Sequence, residues 1–68
     1  RRVAVICNEE ESVPAMQLAA SLRKNGDEAG LYLRSKKLGK LLNRLEEQGF
    51  DGYLVYGEGE EPKMFRKD

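Results

Sequence analysis

Three short apolar runs, residues 3–7 (VAVIC), 29–33 (AGLYL) and 53–56 (YLVY), are separated by two longer stretches whose apolar residues recur at helical spacing. No other feature constrains the fold so strongly. Strands that alternate with helices are joined by right-handed crossovers, which lay the strands parallel in one sheet and put the helices on its faces. The first run is apolar and rich in β-branched residues, as a strand buried on both faces requires. After it, Ala15, Leu18, Ala19 and Leu22 form one stripe. Ser12 is the expected N-cap of that helix and Pro14 suits its first turn, while Gly26 supplies the left-handed residue that stops it after Arg23 and Lys24. Leu38, Leu41, Leu42 and Leu45 form the second stripe, with Ser35 as the expected cap and Gly49 as the stop. Residues 57–62 (GEGEEP) form a loop, and residues 63–66 predict a fourth strand at the sheet edge. The expected fold is a small three-layer α/β domain, β-α-β-α-β-β, with a mostly parallel sheet, and it takes up residues 1–68 as one domain. In the strand order 2-1-3 the two helices would cover opposite faces and leave one face partly open.

A chain of 68 residues buries only about 60 % of its unfolded surface, so its stability is marginal. Twelve basic residues balance twelve acidic ones. Attraction of the whole domain to nucleic acid is therefore not indicated, and such a partner needs a local basic patch. There is no histidine, which removes the commonest general base and metal ligand. Cys7 lacks that partner and, inside a strand, reads as a small apolar core residue. A lone cysteine forms no internal disulfide and fits a reducing cytosol. No run of roughly 18 apolar residues predicts a membrane-spanning helix. The chain opens on Arg1, which suggests a piece cut from a longer protein.

Sheets of this kind bind ligands beyond the carboxyl ends of their strands. The unusual residues gather there, in stretches 8–11 (NEEE), 34–37 (RSKK) and 57–61 (GEGEE). The glycines of the last stretch do not make a dinucleotide loop: the third glycine is missing and no helix follows. Glutamates after the first and third strands could approach Mg²⁺, but short aspartates position that ion better. The acids ahead of the first helix are explained by its dipole, so no metal is expected. Tyr32, Phe50, Tyr53, Tyr56 and Phe65 could stack on unpaired bases, yet Tyr53 and Tyr56 fall in the third strand and most of the set reads as core.

The second helix is charged against its own dipole. Lys36, Lys37 and Lys40 crowd its start, and Glu46 and Glu47 its end. Each misplaced exposed charge costs about 0.3–1 kcal/mol. Gly39 inside the helix adds up to about 1 kcal/mol, for which a close neighbour is one explanation. Two readings stay open. The lysines are a solvated face, or the helix start with Arg34, Lys36, Lys37 and Lys40 is an anion site, with RNA phosphate a natural guest.

Four segments taken in order, VAVICN, AASLRKNG, LYLRSKKLGKLL and GYLVYGEGE, are similar to a known pattern. The chain resembles the anticodon-binding domain at the C-terminal end of class II aminoacyl-tRNA synthetases, the group serving histidine, threonine, proline and glycine. The stretch RSKKLGK carries the resemblance furthest. Leu38-Gly39-Lys40 and Gly57-Glu58 look most like histidyl-type members. The resemblance implies a mixed α/β domain that grips the anticodon stem-loop of tRNA and has no catalysis or cofactor of its own. The parent would be a cytoplasmic, homodimeric ligase whose separate catalytic domain uses ATP and Mg²⁺. Asn8, Ser35, Glu60 and Arg66 would address anticodon bases, and Arg34, Lys36, Lys37 and Lys40 would hold phosphate. The family continues into a further strand and a closing helix that this sequence lacks. Its connection before the second strand is also less acidic, and its loop before residue 63 is longer. The alternative is a synthetase-like regulatory or accessory domain whose surface serves protein contacts or dimerisation.

Overall fold

The computed structural model describes residues 1–59 and 61–65. Four strands, β1 (Arg2–Cys7), β2 (Glu28–Leu33), β3 (Gly52–Val55) and β4 (Lys63–Met64), form one sheet in the order β2-β1-β3-β4. β1 runs parallel to both neighbours, with Val5 between Leu31 and Leu54, and β4 is antiparallel to β3. The α/β expectation and the order 2-1-3 hold.

Alternation along β1 divides the core in two. Val3, Val5 and Cys7 pack with Leu54 against Ala15, Ala19 and Leu22 of α1 (Ser12–Lys24). Ala4 and Ile6 pack with Val55 against Leu45 and Phe50 on the side of α2 (Leu38–Glu47). The leucine and alanine stripes are thus the inward faces of helices on opposite sides of the sheet.

Both helices stop as expected, by the same device. Gly26 and Gly49 both take φ of +93°. The N–H of Asp27 reaches the carbonyl of Leu22 at 3.1 Å, and that of Gly26 reaches Arg23 at 3.1 Å. Phe50 and Gly49 bond to Leu45 and Glu46 in the same way, each at 3.1 Å. The left-handed glycine lets the chain turn back and satisfy carbonyls the helix leaves free.

The helix starts differ from expectation. Ser12 is the first residue of α1, not its cap; the chain enters through a 3₁₀ turn over Glu9–Glu11. There the Asn8 N–H donates to the Glu11 carboxylate at 3.1 Å and the Glu11 N–H to the Asn8 carbonyl at 2.9 Å. Ser35 does not cap α2, which begins three residues later. Its Oγ accepts the Lys37 N–H at 3.2 Å, a local turn that competes with capping for the same hydroxyl. Lys36 and Lys37 therefore precede the helix, and only Lys40 of the three lies in its first turn. The conflict with the dipole is smaller than the sequence implies, and Arg44 in the last turn offsets it further. A Cβ on Gly39 would meet no atom within 4 Å, so no described part of the chain is the close neighbour expected there.

β2 lies at one edge of the sheet. Glu28 and Arg34 turn their N–H groups to the Arg1 and Cys7 carbonyls, so the alternate residues present backbone groups outward. Arg23, from the last turn of α1, covers one of them: Nε and Nη2 both donate to the Ala29 carbonyl, at 3.1 and 2.7 Å. Native edges are commonly blunted with charge in this way. Arg23→Ala is expected to cost about 1 kcal/mol and to uncover the edge. Thermal melts over a range of protein concentrations would then show a lower Tm and a new dependence on concentration.

Candidate nucleic-acid interface

The rim at the carboxyl ends of the parallel strands is assembled by backbone bonds that run past the strands themselves. The Arg34 N–H donates to the Cys7 carbonyl and the Tyr56 N–H to the Ile6 carbonyl, both at 2.8 Å. The chain leaving β2 and the chain leaving β3 are therefore held on either side of the end of β1. Arg34 then reaches across. Its Nη1 lies 3.2 Å from Oε2 of Glu58, both side chains being about half exposed (42 % and 51 %). Because β1 stands between β2 and β3, this ion pair spans the end of the central strand. Glu58 is presented by a tight turn in which its N–H bonds to the Val55 carbonyl at 3.0 Å. Gly57 and Gly59 flank it with φ of +90° and +129°, a backbone region that only glycine enters readily.

Six of the eight expected site residues fall on or beside this rim, and all six are exposed: Asn8, Arg34, Ser35, Lys36, Lys37 and Lys40. Glu60 and Arg66 lie outside the described residues. Arg34 is already engaged by Glu58, a partner that becomes visible only once the strand order brings the two loops together. Lys36, Lys37 and Lys40 form no ion pair among the described residues. Ser35 keeps its hydroxyl proton for a further partner, since the bond from Lys37 uses only an oxygen lone pair. Cys7 is 1 % exposed, and burial first, then the Glu11 carboxylate, pushes its thiol up, which suits the inert role expected of it.

The aromatic residues separate into two groups. Tyr32 meets Phe50 edge-on at 5.6 Å, with the Arg2 guanidinium 4.5 Å above the Phe50 ring, and Tyr53 packs on Phe65 at 5.3 Å. These four belong to the core on the α2 side. Tyr56 pairs with no other ring among the described residues and lies on the α1 side, half-buried. It falls one residue past the end of β3, not within the strand as the apolar run suggests. With Leu18, Gly57 and Gly59 it lines a cavity of about 330 Å³.

The model of the anticodon binding domain family matches residues 2–64. The chain belongs to that family. Neither curated proteins nor solved structures gave a match. In this anticodon-binding domain the matched span takes in all four strands and both helices, so the rim lies wholly within it. No helix among the described residues is long and apolar enough to cross a membrane.

Proposed function

We propose that the domain holds the anticodon stem-loop of a tRNA along the carboxyl-end rim, as the binding module of a class II aminoacyl-tRNA synthetase. One observation carries the reading. Lys36, Lys37 and Lys40 stand exposed and without an ion-pair partner among the described residues, beside the start of α2. A helix start presents free N–H groups and partial positive charge, and lysines beside it complete an anion site. Arg34 joins them by exchanging the Glu58 carboxylate for a phosphate oxygen. Asn8 and Ser35, with Glu60 and Arg66, address the unstacked bases of the loop, whose edges are open to such side chains.

The domain performs no chemistry itself. Attachment of the amino acid falls to a separate catalytic domain of the parent, a cytoplasmic and homodimeric enzyme using ATP and Mg²⁺. The Leu38-Gly39-Lys40 and Gly57-Glu58 elements favour a histidyl-type parent.

Replacing Lys36 and Lys37 together by alanine tests this reading. Affinity for anticodon stem-loop hairpins is expected to fall severalfold whatever the loop sequence. The slope of log affinity against log salt is expected to shrink by about 1.5, the sum for two phosphate contacts. Fluorescence titrations at several salt concentrations measure both. Unchanged affinity and slope in the double variant would contradict the phosphate assignment.

A further inference from the structure

We infer that the cavity beside Tyr56 is a slot for one unpaired base, with the Tyr56 ring as its stacking surface. This inference rests on the proposed binding of RNA along the rim.

Tyr56 is the aromatic residue that pairs with no other ring among the described residues. Tyr32 and Phe50 use each other, and Tyr53 and Phe65 do likewise. Its backbone is fixed by the bond to Ile6 at 2.8 Å, and its side chain rests against the α1 half of the core. Leu18 of α1 lines the cavity with it, and the rest of the lining among the described residues is glycine. Apart from its chain neighbours, a Cβ on Gly57 or Gly59 would meet no atom of the described residues within 4 Å. Open space therefore adjoins the positions where the chain carries no side chain.

Size and placement narrow the occupant. At about 330 Å³ the slot is at the small end of ligand pockets, which run from about 300 to 1,000 Å³. Its Tyr56, Gly57 and Gly59 lining directly follows the carboxyl end of β3 beside β1, the switch point of an order 2-1-3 sheet and the customary ligand position in this topology. Charge supplies the last constraint. Glu58, between the two lining glycines, is bonded to Arg34 at 3.2 Å, so the slot borders the stretch that carries Lys36 and Lys37. A ligand with a flat apolar face and an anionic group beside it satisfies both surfaces, and a nucleotide of a single-stranded loop has that form. Every base offers a π-face, so Tyr56 would supply affinity and leave discrimination to the polar residues of the rim.

The test uses an anticodon stem-loop hairpin and otherwise identical hairpins in which one loop nucleotide at a time is abasic. These are titrated against the full chain and its Tyr56→Ala, Tyr56→Phe and Leu18→Phe variants, each checked for folding by circular dichroism. At one loop position, loss of the base is expected to weaken the unmutated chain by about 5- to 150-fold, the span of a single base–aromatic stack. Tyr56→Ala should weaken the intact hairpin by a similar factor and respond no further when that base is removed. Tyr56→Phe should keep the affinity, and Leu18→Phe, which narrows the slot from its helical wall, should behave like Tyr56→Ala. The salt slope should be the same in all four. If Tyr56→Ala and Leu18→Phe respond to every abasic hairpin as the unmutated chain does, the slot is overturned while RNA binding along the rim stands. If the unmutated chain binds no hairpin, both readings fall. Should Tyr56→Ala not fold, Leu18→Phe decides in its place.

Discussion

Truncating Leu45 to alanine is expected to remove most of the stability of this domain. Leu45 is 1 % exposed and is the residue of α2 buried most deeply against Ala4, Ile6, Phe50 and Val55. Leucine-to-alanine changes at such sites cost about 2–5 kcal/mol, partly for lost transfer of the side chain and partly for the cavity left behind. A chain of this length is stable by roughly 3–10 kcal/mol in all, at the usual range per residue. The loss is therefore comparable to the whole. The Tm should fall by roughly 8 °C or more, and urea unfolding should begin near zero denaturant. A Tm shift under about 2 °C would show that α2 contributes little to the core.

Gly52→Ala is expected to be the next most damaging change, for the opposite reason. It adds one methyl where there is no room. A Cβ at Gly52 would sit 2.6 Å from the backbone carbonyl of Lys63 and 2.8 Å from Cε of Met64. Met64 could swing aside, but the carbonyl belongs to the strand that pairs with β3, in register Gly52 with Met64 and Tyr53 with Lys63. Either β4 moves away or β3 shifts within the sheet. Overpacking of this kind costs about 1–3 kcal/mol. Amide exchange separates the outcomes: if β4 gives way, the Phe65 amide, which bonds to the Asp51 carbonyl at 3.0 Å, loses protection while β1 keeps its own. Unaltered protection at Phe65 together with unaltered stability would contradict the close approach of β4 to β3.

Much of this architecture is written in local sequence. The apolar β-branched run of β1, the alanine and leucine stripes of the helices, and the glycines at 26 and 49 each have one physical meaning, and each is found where it was expected. Helix starts were harder to read because their signal has two meanings. A serine just ahead of an apolar stripe can cap the helix or close a turn on the N–H two residues on, and Ser35 does the second. That choice places Lys36 and Lys37 ahead of the helix and eases their conflict with its dipole. The rim residues could be named from sequence because the topology rule places them at the strand ends. Their partnerships could not be, since Arg34 and Glu58 lie 24 positions apart and meet only when β1 inserts between their strands. Tyr56 was obscured differently: an apolar run carries no mark of where pairing stops, and the strand ends at Val55, one residue short of it.

RNA is expected to touch the domain along the carboxyl-end rim. Backbone amide shifts of the isotope-labelled chain, followed while an anticodon stem-loop hairpin is titrated in, locate that surface residue by residue. The largest changes are expected at Asn8, at Arg34, Lys36, Lys37 and Lys40, and at Gly57 and Gly59. Changes centred instead on Arg2, Glu28 and Asp51, at the opposite end of the sheet, would contradict it.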